Sequence, residues 1–526
     1  MLLLTSTAAL GATLVTPKCD DVNLRTGPGT TYTRKGQVDT GAQLTVVAKV
    51  SGGGYSTRCG GDQSGSAWYK VSAINGKSVK SLYGVSYVYG ARQLFKTLLN
   101  ATPAPTATSP TPTPTVESPA LPTGTSVLGD SVTFYGRGYG HGVGLSQYGA
   151  QGRASDGQSA GQILAHYYQG TMLGSLTNRQ IRVLVLQSFA ASASNPVQVY
   201  GRGGTWTIDG IGATFPADAR LRFTPSTSGS TTTWRITVTA SNGTVLYNAG
   251  SRARIRIRPG AGTTLQLWSK PSAYDRFRGV LRLIGKTGAT STANVVNELP
   301  METYLRGVVP AEVPSSWPVE AVKAQAIAAR SYAAYRLHPG TGTYDIYSDT
   351  RSQMYLGRLA EKAGSNAAVR ATAGVVLRTS GGGIANALFH STGGGATEDN
   401  ENVFVSSTGE KTAGVFSYLR GSADRRADGT PYDAASPYAT WSTQAYTRAQ
   451  VQSWYAADSR TNVGTLVALD LTDRGISGRL ISVTLIGQDG TTRTVSGSVF
   501  MAVFNAHRPT GDRMFRSTLF DLAPVP

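Results

Sequence analysis

The residue best placed for chemistry is Glu312. It lies in Gly307-Val308-Val309-Pro310-Ala311-Glu312-Val313-Pro314-Ser315-Ser316-Trp317-Pro318, between two segments of helical pattern. Three prolines stiffen that path, and Val309, Val313 and Trp317 can strip water from the carboxyl. Desolvation disfavours the ionised form and lifts the pKa toward the range a general acid needs. In a polar loop the same glutamate would read as a group simply exposed to water.

Two other segments concentrate polar groups. Phe389-His390-Ser391-Thr392-Gly393-Gly394-Gly395-Ala396-Thr397-Glu398 follows a predicted buried strand, and a Gly-rich polar loop at a strand end is a reasonable substrate wall. His390 taken alone reads as an ordinary satisfied side chain. The second segment, Gly136-Arg137-Gly138-Tyr139-Gly140-His141-Gly142-Val143-Gly144-Leu145-Ser146-Gln147-Tyr148-Gly149-Ala150, does not fit G-x-G-x-x-G. His141 occupies the last position and no βαβ unit precedes it, so no dinucleotide site is expected. Gly144 to Gly149 misses the G-x-S-x-G elbow by one residue, which makes a serine hydrolase a distant option. The glycines either let the backbone approach an extended ligand or merely turn tightly. His141 and Gln147 line a groove in the first case and bond internally in the second.

Metal chemistry finds little support. No H-E-x-x-H or C-x-x-C occurs, and the chain beyond Cys59 has no cysteine for a thiolate site. Scattered His141, His166 and His390 are a weak basis for a metal site, and no cofactor is expected.

These residues need a scaffold, and the pattern supplies one. Leu299 to Val309 opens at Pro300 and repeats apolar Met301, Tyr304, Leu305 and Val308 at helical spacing. A longer, Ala-rich helix is predicted from Pro318 through Leu337. Ile181 to Leu186, Trp234 to Val238, Arg254 to Ile257, Val280 to Ile284, Leu466 to Leu471, Leu480 to Leu485 and Thr492 to Val495 read as strands. The expected class is therefore α+β, with mixed β-sheets and a few helices, over residues 128–526.

Ahead of it, 19–98 shows short β-type runs at Leu44 to Val50, Trp68 to Val71 and Val85 to Tyr89, the pattern of a small all-β barrel. Residues 99–127 alternate Pro with Thr, Ser and Ala, a composition that cannot bury a core and reads as a linker. Residues 1–18 are read as the remnant of an export signal, apolar and small-residue-rich but without a positive start. Cys19 and Cys59 are the only cysteines, and a lone pair suits one disulfide in an exported protein.

At 526 residues the chain is too long for one core. A formal charge of +19 implies a polyanionic neighbour, but there is no basic run or aromatic RNA-binding signature, so a nucleic-acid partner is not expected. No stretch approaches the roughly 20 apolar residues of a membrane span. The expected location is secreted and wall-associated.

Val22-Asn23-Leu24-Arg25-Thr26-Gly27-Pro28-Gly29, with Gly41-Ala42-Gln43-Leu44-Thr45-Val46 and Trp68-Tyr69-Lys70-Val71, resembles the bacterial SH3-like domain family. That resemblance implies wall binding. Asn297-Glu298-Leu299-Pro300-Met301-Glu302-Thr303-Tyr304-Leu305-Arg306-Gly307-Val308-Val309-Pro310-Ala311-Glu312, continued by Ala321-Val322-Lys323-Ala324-Gln325-Ala326-Ile327-Ala328-Ala329-Arg330-Ser331-Tyr332, closely resembles the stage II sporulation protein D family, SpoIID/LytB. Asp349 with Gln353, Tyr355 and Gly357, the loop Phe389 to Glu398, and Arg278-Gly279 extend the match, which runs roughly from Gln180 to Leu522. The blocks Gly136 to Ala150 and Ile163 to Thr171 resemble a signature that ends the domain in typical members. Here they precede its first strand, within 128–175, an order that suggests circular permutation if the two ends lie close together.

The resemblance implies a lytic transglycosylase acting on peptidoglycan glycan strands stripped of stem peptides, with Glu312 as the catalytic residue. The matched positions His141, Ser146, Gln147, Gln325, Arg330, Gln353, Tyr355, His390, Ser391 and Thr392 become candidate substrate contacts. Gln325 and Arg330 read otherwise as a solvated or paired helix face, and Gln353 and Tyr355 as turn stabilisers. Three other readings stand beside it. One is a non-catalytic, wall-binding modulator of an N-acetylmuramoyl-L-alanine amidase. Another is a two-carboxylate muramidase using Glu312 with Asp349. In the last, the N-terminal unit binds wall and the large unit is a scaffold.

Overall fold

A computed structural model describes residues 13–57, 59, 63–75, 77–99, 124–228, 231–250, 253–287 and 290–525. They fall into two units, divided between Thr115 and Val116. The linker core and the start of the expected leader lie outside the described residues.

In the small unit, eight strands form one sheet whose path runs from Arg34–Val38 through Val22–Arg25, Val88–Ala91, Gln63–Ile74, Leu44–Thr57 and Thr13–Pro17 to Phe95–Leu99, with Lys77–Ser78 on Gln63–Ile74. This path does not return on itself, so the expected barrel is corrected to a strongly bulged open sheet. The long hairpin Leu44–Thr57 with Gln63–Ile74 shifts register three times, and bulges of that kind bend a sheet around its core without closing it. That core gathers Val15, Leu24, Leu44, Val71 and Val88, each fully buried. Thr13–Pro17 pairs with both Leu44–Thr57 and Phe95–Leu99, so the last residues assigned to the leader belong to the sheet. A disulfide joins Cys19 to Cys59, with Cα atoms 5.8 Å apart.

The large unit is organised around two antiparallel-rich sheets that share one core. A seven-stranded sheet runs Thr214–Phe215, Trp206–Ile208, Arg254–Pro259, Val280–Lys286, Thr292–Pro300, Gln180–Ala190, Ile346–Tyr347. A six-stranded sheet runs Val245–Gly250, Thr231–Thr239, Arg220–Ser228, Val197–Arg202, Thr264–Leu267, Arg276–Phe277. Alternate residues such as Val197, Val199, Leu221, Phe223, Leu281 and Val295 face inward, the period-2 pattern of sheets covered on one side. Trp234 stacks on Phe223 with ring centroids 4.5 Å apart.

Nine helices are described; α1 is Val79–Tyr83, and the large unit adds α2 Gln147–Ser155, α3 Ala160–Tyr167, α4 Met301–Glu312, α5 Val319–Tyr335, α6 Ala363–Ala371, α7 Asn400–Val403, α8 Arg448–Ala456 and α9 Gly497–His507. The two predicted helices appear as α4 and α5. Helix α5 is buried on opposite faces: Val322, Ala326, Ala329 and Ala333 join the sheet core, while Ala324, Ile327 and Ala328 join a second core. Its alanines follow from that position, since a helix enclosed on both sides fits only with small side chains.

The second core is built by the Gly-rich block through Val143 and Leu145 and by the Ile163 to Thr171 block through Ile163, Leu164, Tyr167 and Tyr168. The block therefore folds into the large unit rather than apart from it. Leu145–Ser146 pairs in parallel with Phe389–His390. Tyr135–Arg137 pairs with Phe520–Asp521, and Thr125–Val127 joins Leu466–Asp470, so the unit begins slightly before residue 128 and its described ends meet. Among the described residues no helix is long and apolar enough to cross a membrane.

Candidate active site

Glu312 is the last residue of α4, not part of a loop. The helix starts where Pro300 is extended and Met301 donates its N–H to Arg179 O at 2.7 Å. It stops because Val313 precedes Pro314, and a residue before proline is pushed out of the helical region; Val313 sits at φ −135°. Pro310 lies inside the final turn, which the sequence pattern had ended at Val309. At a helix C-terminus the carbonyls present partial negative charge, an unfavourable surrounding for a carboxylate.

Only neutral donors reach this carboxyl among the described contacts. Met354 N–H donates to Oε1 at 2.8 Å, and Gln147 Nε2 donates to Oε2 at 3.3 Å. Burial pushes the Glu312 pKa up, and the two donors pull partly in the other direction. The Met354 peptide is fixed from both sides. Gln353, buried, accepts from the Tyr304 hydroxyl at 2.9 Å and donates to Ala329 O at 3.2 Å. Tyr355, buried, donates to Asn297 Oδ1 at 2.7 Å. Gly307 lets this segment touch α4, since a Cβ there would stand 2.7 Å from the Tyr355 ring. Gln353 and Tyr355 thus face the interior and hold the donor between them.

Gln147 reaches Glu312 because it is the first residue of α2. Ser146 caps that helix, accepting from Gly149 N–H, and its Oγ also accepts from Gly393 N–H, both at 3.1 Å. Ser391 O accepts from Tyr148 N–H at 3.0 Å. The two polar segments are therefore stitched together beside Glu312. Gly144 is required there: its φ is +70°, and a Cβ would lie 2.1 Å from Leu388 O. Tyr148 and Trp317 meet edge to face at 4.9 Å, one from each side of the Gln147–Glu312 contact in sequence.

The remaining candidates divide. Thr392 is buried, with its hydroxyl 2.7 Å from Ser436 Oγ and 3.2 Å from Ser391 Oγ. His141 and His390 lie with ring centroids 5.4 Å apart. Burial, then Arg479, pushes His141 down to about 4, and burial, then His141, holds His390 well below its usual range, so both are neutral at physiological pH. His141 Nδ1 accepts from Val143 N–H at 3.1 Å. Arg330 is fully buried and forms a fork with Glu302, Nε to Oε1 and Nη2 to Oε2 both at 2.8 Å. Gln325 is buried with neither amide atom hydrogen-bonded to a described group. Asp349 is a surface group paired with Arg351 at 2.7 Å, which holds its pKa below the usual value. No cluster of His, Cys, Asp and Glu suited to a metal occurs among the described residues. The Met354 amide, Tyr148 and Tyr304 were not singled out from sequence; a backbone donor has no residue signature.

Residues 289–378 match the family model for the stage II sporulation protein, and residues 20–89 match that of the bacterial SH3 domain. The chain carries a SpoIID domain and a bacterial SH3 domain. Within the SpoIID match lie Glu312, Gln325, Arg330, Gln353 and Tyr355, while Gln147 and the 389–398 loop fall outside it. An uncharacterized protein of Brachyspira hyodysenteriae is 39% identical over 115 residues, 22% of this chain and 31% of that protein. The amidase enhancer of Bacillus subtilis is 29% identical over 210 residues, 38% of this chain and 28% of the relative. The stage II sporulation protein D of Bacillus subtilis is 51% identical over 45 residues, 9% and 13% of the two chains. The chain covers less than a third of the length of each of these curated relatives. No solved structure matches. The two domains and these relatives support a cell-wall related function.

Proposed function

We propose that the large unit is a lytic transglycosylase acting on peptidoglycan glycan strands, and that Glu312 is its acid/base residue. The observation that carries the reading is one partly buried carboxyl, pushed up by desolvation and held by two neutral donors rather than by a cation. Desolvation without a counter-cation favours the protonated carboxyl, the form a general acid must hold to deliver its proton. Glu312 protonates the glycosidic oxygen that leaves C1 of N-acetylmuramic acid. The resulting carboxylate then takes the proton of that sugar's C6 hydroxyl, whose oxygen closes on C1. The C1–O4 bond breaks, the C1–O6 bond forms, Glu312 regains its proton and no water is consumed. Attack from within the same ring is favoured by proximity, and one carboxyl serves both steps. A muramidase would need a second carboxylate, and Asp349, committed to Arg351, is poorly suited to that role. Tyr148 and Trp317 offer aromatic faces for a sugar ring beside the acid. The position of the Gly136 to Ala150 block before Gln180–Ala190, the earliest strand of the seven-stranded sheet, with the unit's ends paired, fits a circularly permuted arrangement. We also read the protein as secreted, with its SH3 domain holding it to the wall.

The amidase-enhancer relative favours a second reading, a non-catalytic modulator of an N-acetylmuramoyl-L-alanine amidase. Mass spectrometry of peptide-free glycan after incubation with the full chain separates the readings. Fragments with 1,6-anhydro ends, absent with Glu312→Gln, are the expected result. Reducing ends would make it a muramidase. No cleavage, together with faster amidase turnover when the chain is added, would make it a modulator.

A further inference from the structure

Away from Glu312, a cavity of about 580 Å³ opens between the Gly394–Gly395 turn and the last described strand. Arg137, Arg425 and Arg474 line it, and Asp521 is the single carboxylate in its wall. That carboxylate is engaged by Arg474 Nη2 at 2.8 Å. Behind the wall the buried Asp433 accepts from Gly394 N–H at 2.6 Å and is also an anionic neighbour of Arg137.

Arg425 and Arg474 are held in the same way. Each begins a tight hairpin closed by a bridge, to Pro431 and Leu480, and donates Nη1 to the carbonyl four residues on, Gly429 at 3.0 Å and Gly478 at 2.8 Å. Arg378 makes the same loop with Gly382, so the hairpin is a local device; what distinguishes this place is that two of them converge on one cavity. The Gly394–Gly395 turn completes the cradle. Both glycines have positive φ, +79° and +90°, and a Cβ on Gly395 would stand 3.0 Å from Arg425 Nη2 and 3.1 Å from Arg137 Nη2. Two guanidiniums thus flank one Cα, in a spot that a side chain would close. Burial, and then the neighbouring Arg425, pushes the Arg137 guanidinium below its ordinary value, while Asp433 pulls in the other direction. Cations fixed beforehand by backbone carbonyls bind an anion without paying to order their side chains. Apart from Ser477, whose hydroxyl is bonded to Glu398, the rest of the wall is small and apolar, with Ala396, Ala423, Leu519, Pro524 and Val525.

We propose that this cavity binds the C-terminal carboxylate of a peptide with small aliphatic side chains, the carboxylate on Arg137 and Arg425 and the methyl groups on the Leu519 and Pro524 side. The planar fork of a guanidinium matches a carboxylate, and the apolar wall gives a phosphodiester or a bare ion nothing to bury. Wall stem peptides and ordinary protein C-termini share this chemistry and differ in chirality.

The test is calorimetric titration of the full chain with N-acetyl-D-alanyl-D-alanine, its L,L counterpart, the C-terminal amide of each, and inorganic phosphate. The acids are expected to bind, the amides at least about tenfold more weakly. A preference for the D,D form assigns the site to wall peptides, and equal affinity assigns it to peptide C-termini at large. Arg425→Gln, an exposed position, should weaken the acids about tenfold while leaving melting unchanged. Glu312→Gln should bind as wild type, so this result stands or falls apart from the catalytic reading. Amides binding as well as acids, phosphate binding in place of the peptides, or no heat up to about 10 mM ligand would each overturn the proposal.

Discussion

Helix α2 touches two carboxyls, one at each end, and they are built in opposite ways. At its start Gln147 gives Glu312 an amide proton at 3.3 Å. Two turns later Arg153 gives Asp424 its Nε at 2.9 Å, joined by the Tyr167 hydroxyl at 2.7 Å, with His166 Nε2 at 2.8 Å from Arg153 Nη2. Burial pushes both carboxyls up in pKa, but a guanidinium counters it at Asp424 and no cation does so at Glu312. Asp424 is fully buried and saturated, while Glu312 remains partly open. The first arrangement ties the 147–167 segment to the 424–433 loop. The second leaves a partly open carboxyl whose protonated form is favoured by desolvation, and that is the difference between a structural ion pair and a candidate acid.

The sharpest way to break this contrast is Glu312→Gln. Glycan cleavage should fall by at least about 10²-fold, the usual share of a general acid. Stability should move the other way. A carboxyl whose folded pKa is raised stabilises fully below its unfolded value, and that contribution is lost as pH rises through the folded pKa. The glutamine variant should therefore equal wild type in acid and exceed it at neutral pH, as read by urea denaturation at both. A variant less stable at neutral pH would show that Glu312 is a structural anion after all.

Arg153→Met attacks the other end of α2. It leaves Asp424 buried without its cation, a change that typically costs about 3–5 kcal/mol. The loss should shrink as pH falls and Asp424 takes up a proton, again by the sign of a raised folded pKa. Denaturation curves that are the same at neutral and acid pH would mean that the pair is held by packing alone.

Gln147→Leu has a smaller and more specific effect. Removing a donor that favours the charged form of Glu312 should carry the high-pH fall of kcat/KM to still higher pH, with a several-fold change in rate. An unmoved profile would show that the Gln147 contact is absent in the working enzyme.

The desolvation of Glu312 was legible in sequence because its cause is local: three prolines and three apolar side chains within ten residues predict it without any tertiary contact. Strands such as Val280–Lys286 and helices α4 and α5 were legible for the same reason, each carrying its own period. The partners were not. Gln147 comes from 165 positions away and Met354 acts through its peptide N–H, so neither leaves a pattern near Glu312. The expected barrel failed for a related reason, since closure depends on how far the bulges of Leu44–Thr57 turn the sheet, and composition does not encode that angle.

The two glutamines matched to the family within one domain sharpen the last point. Gln353 and Gln325 look equivalent in sequence, and both are 1% exposed. Gln353 spends both amide atoms, on Tyr304 and Ala329, and so positions the Met354 donor. Gln325 spends neither. Leaving a buried amide unbonded costs about 1–3 kcal/mol, whereas an apolar replacement of similar shape is neutral or better. Gln353→Leu should thus destabilise the protein and lower cleavage together, because it unseats the Tyr304 hydroxyl and the donor to Glu312. Gln325→Leu should raise the denaturation midpoint, by about 1 kcal/mol in stability. If cleavage falls while stability rises, the amide is held unspent for a ligand; if stability falls, Gln325 has protein partners in solution and the two glutamines play the same part.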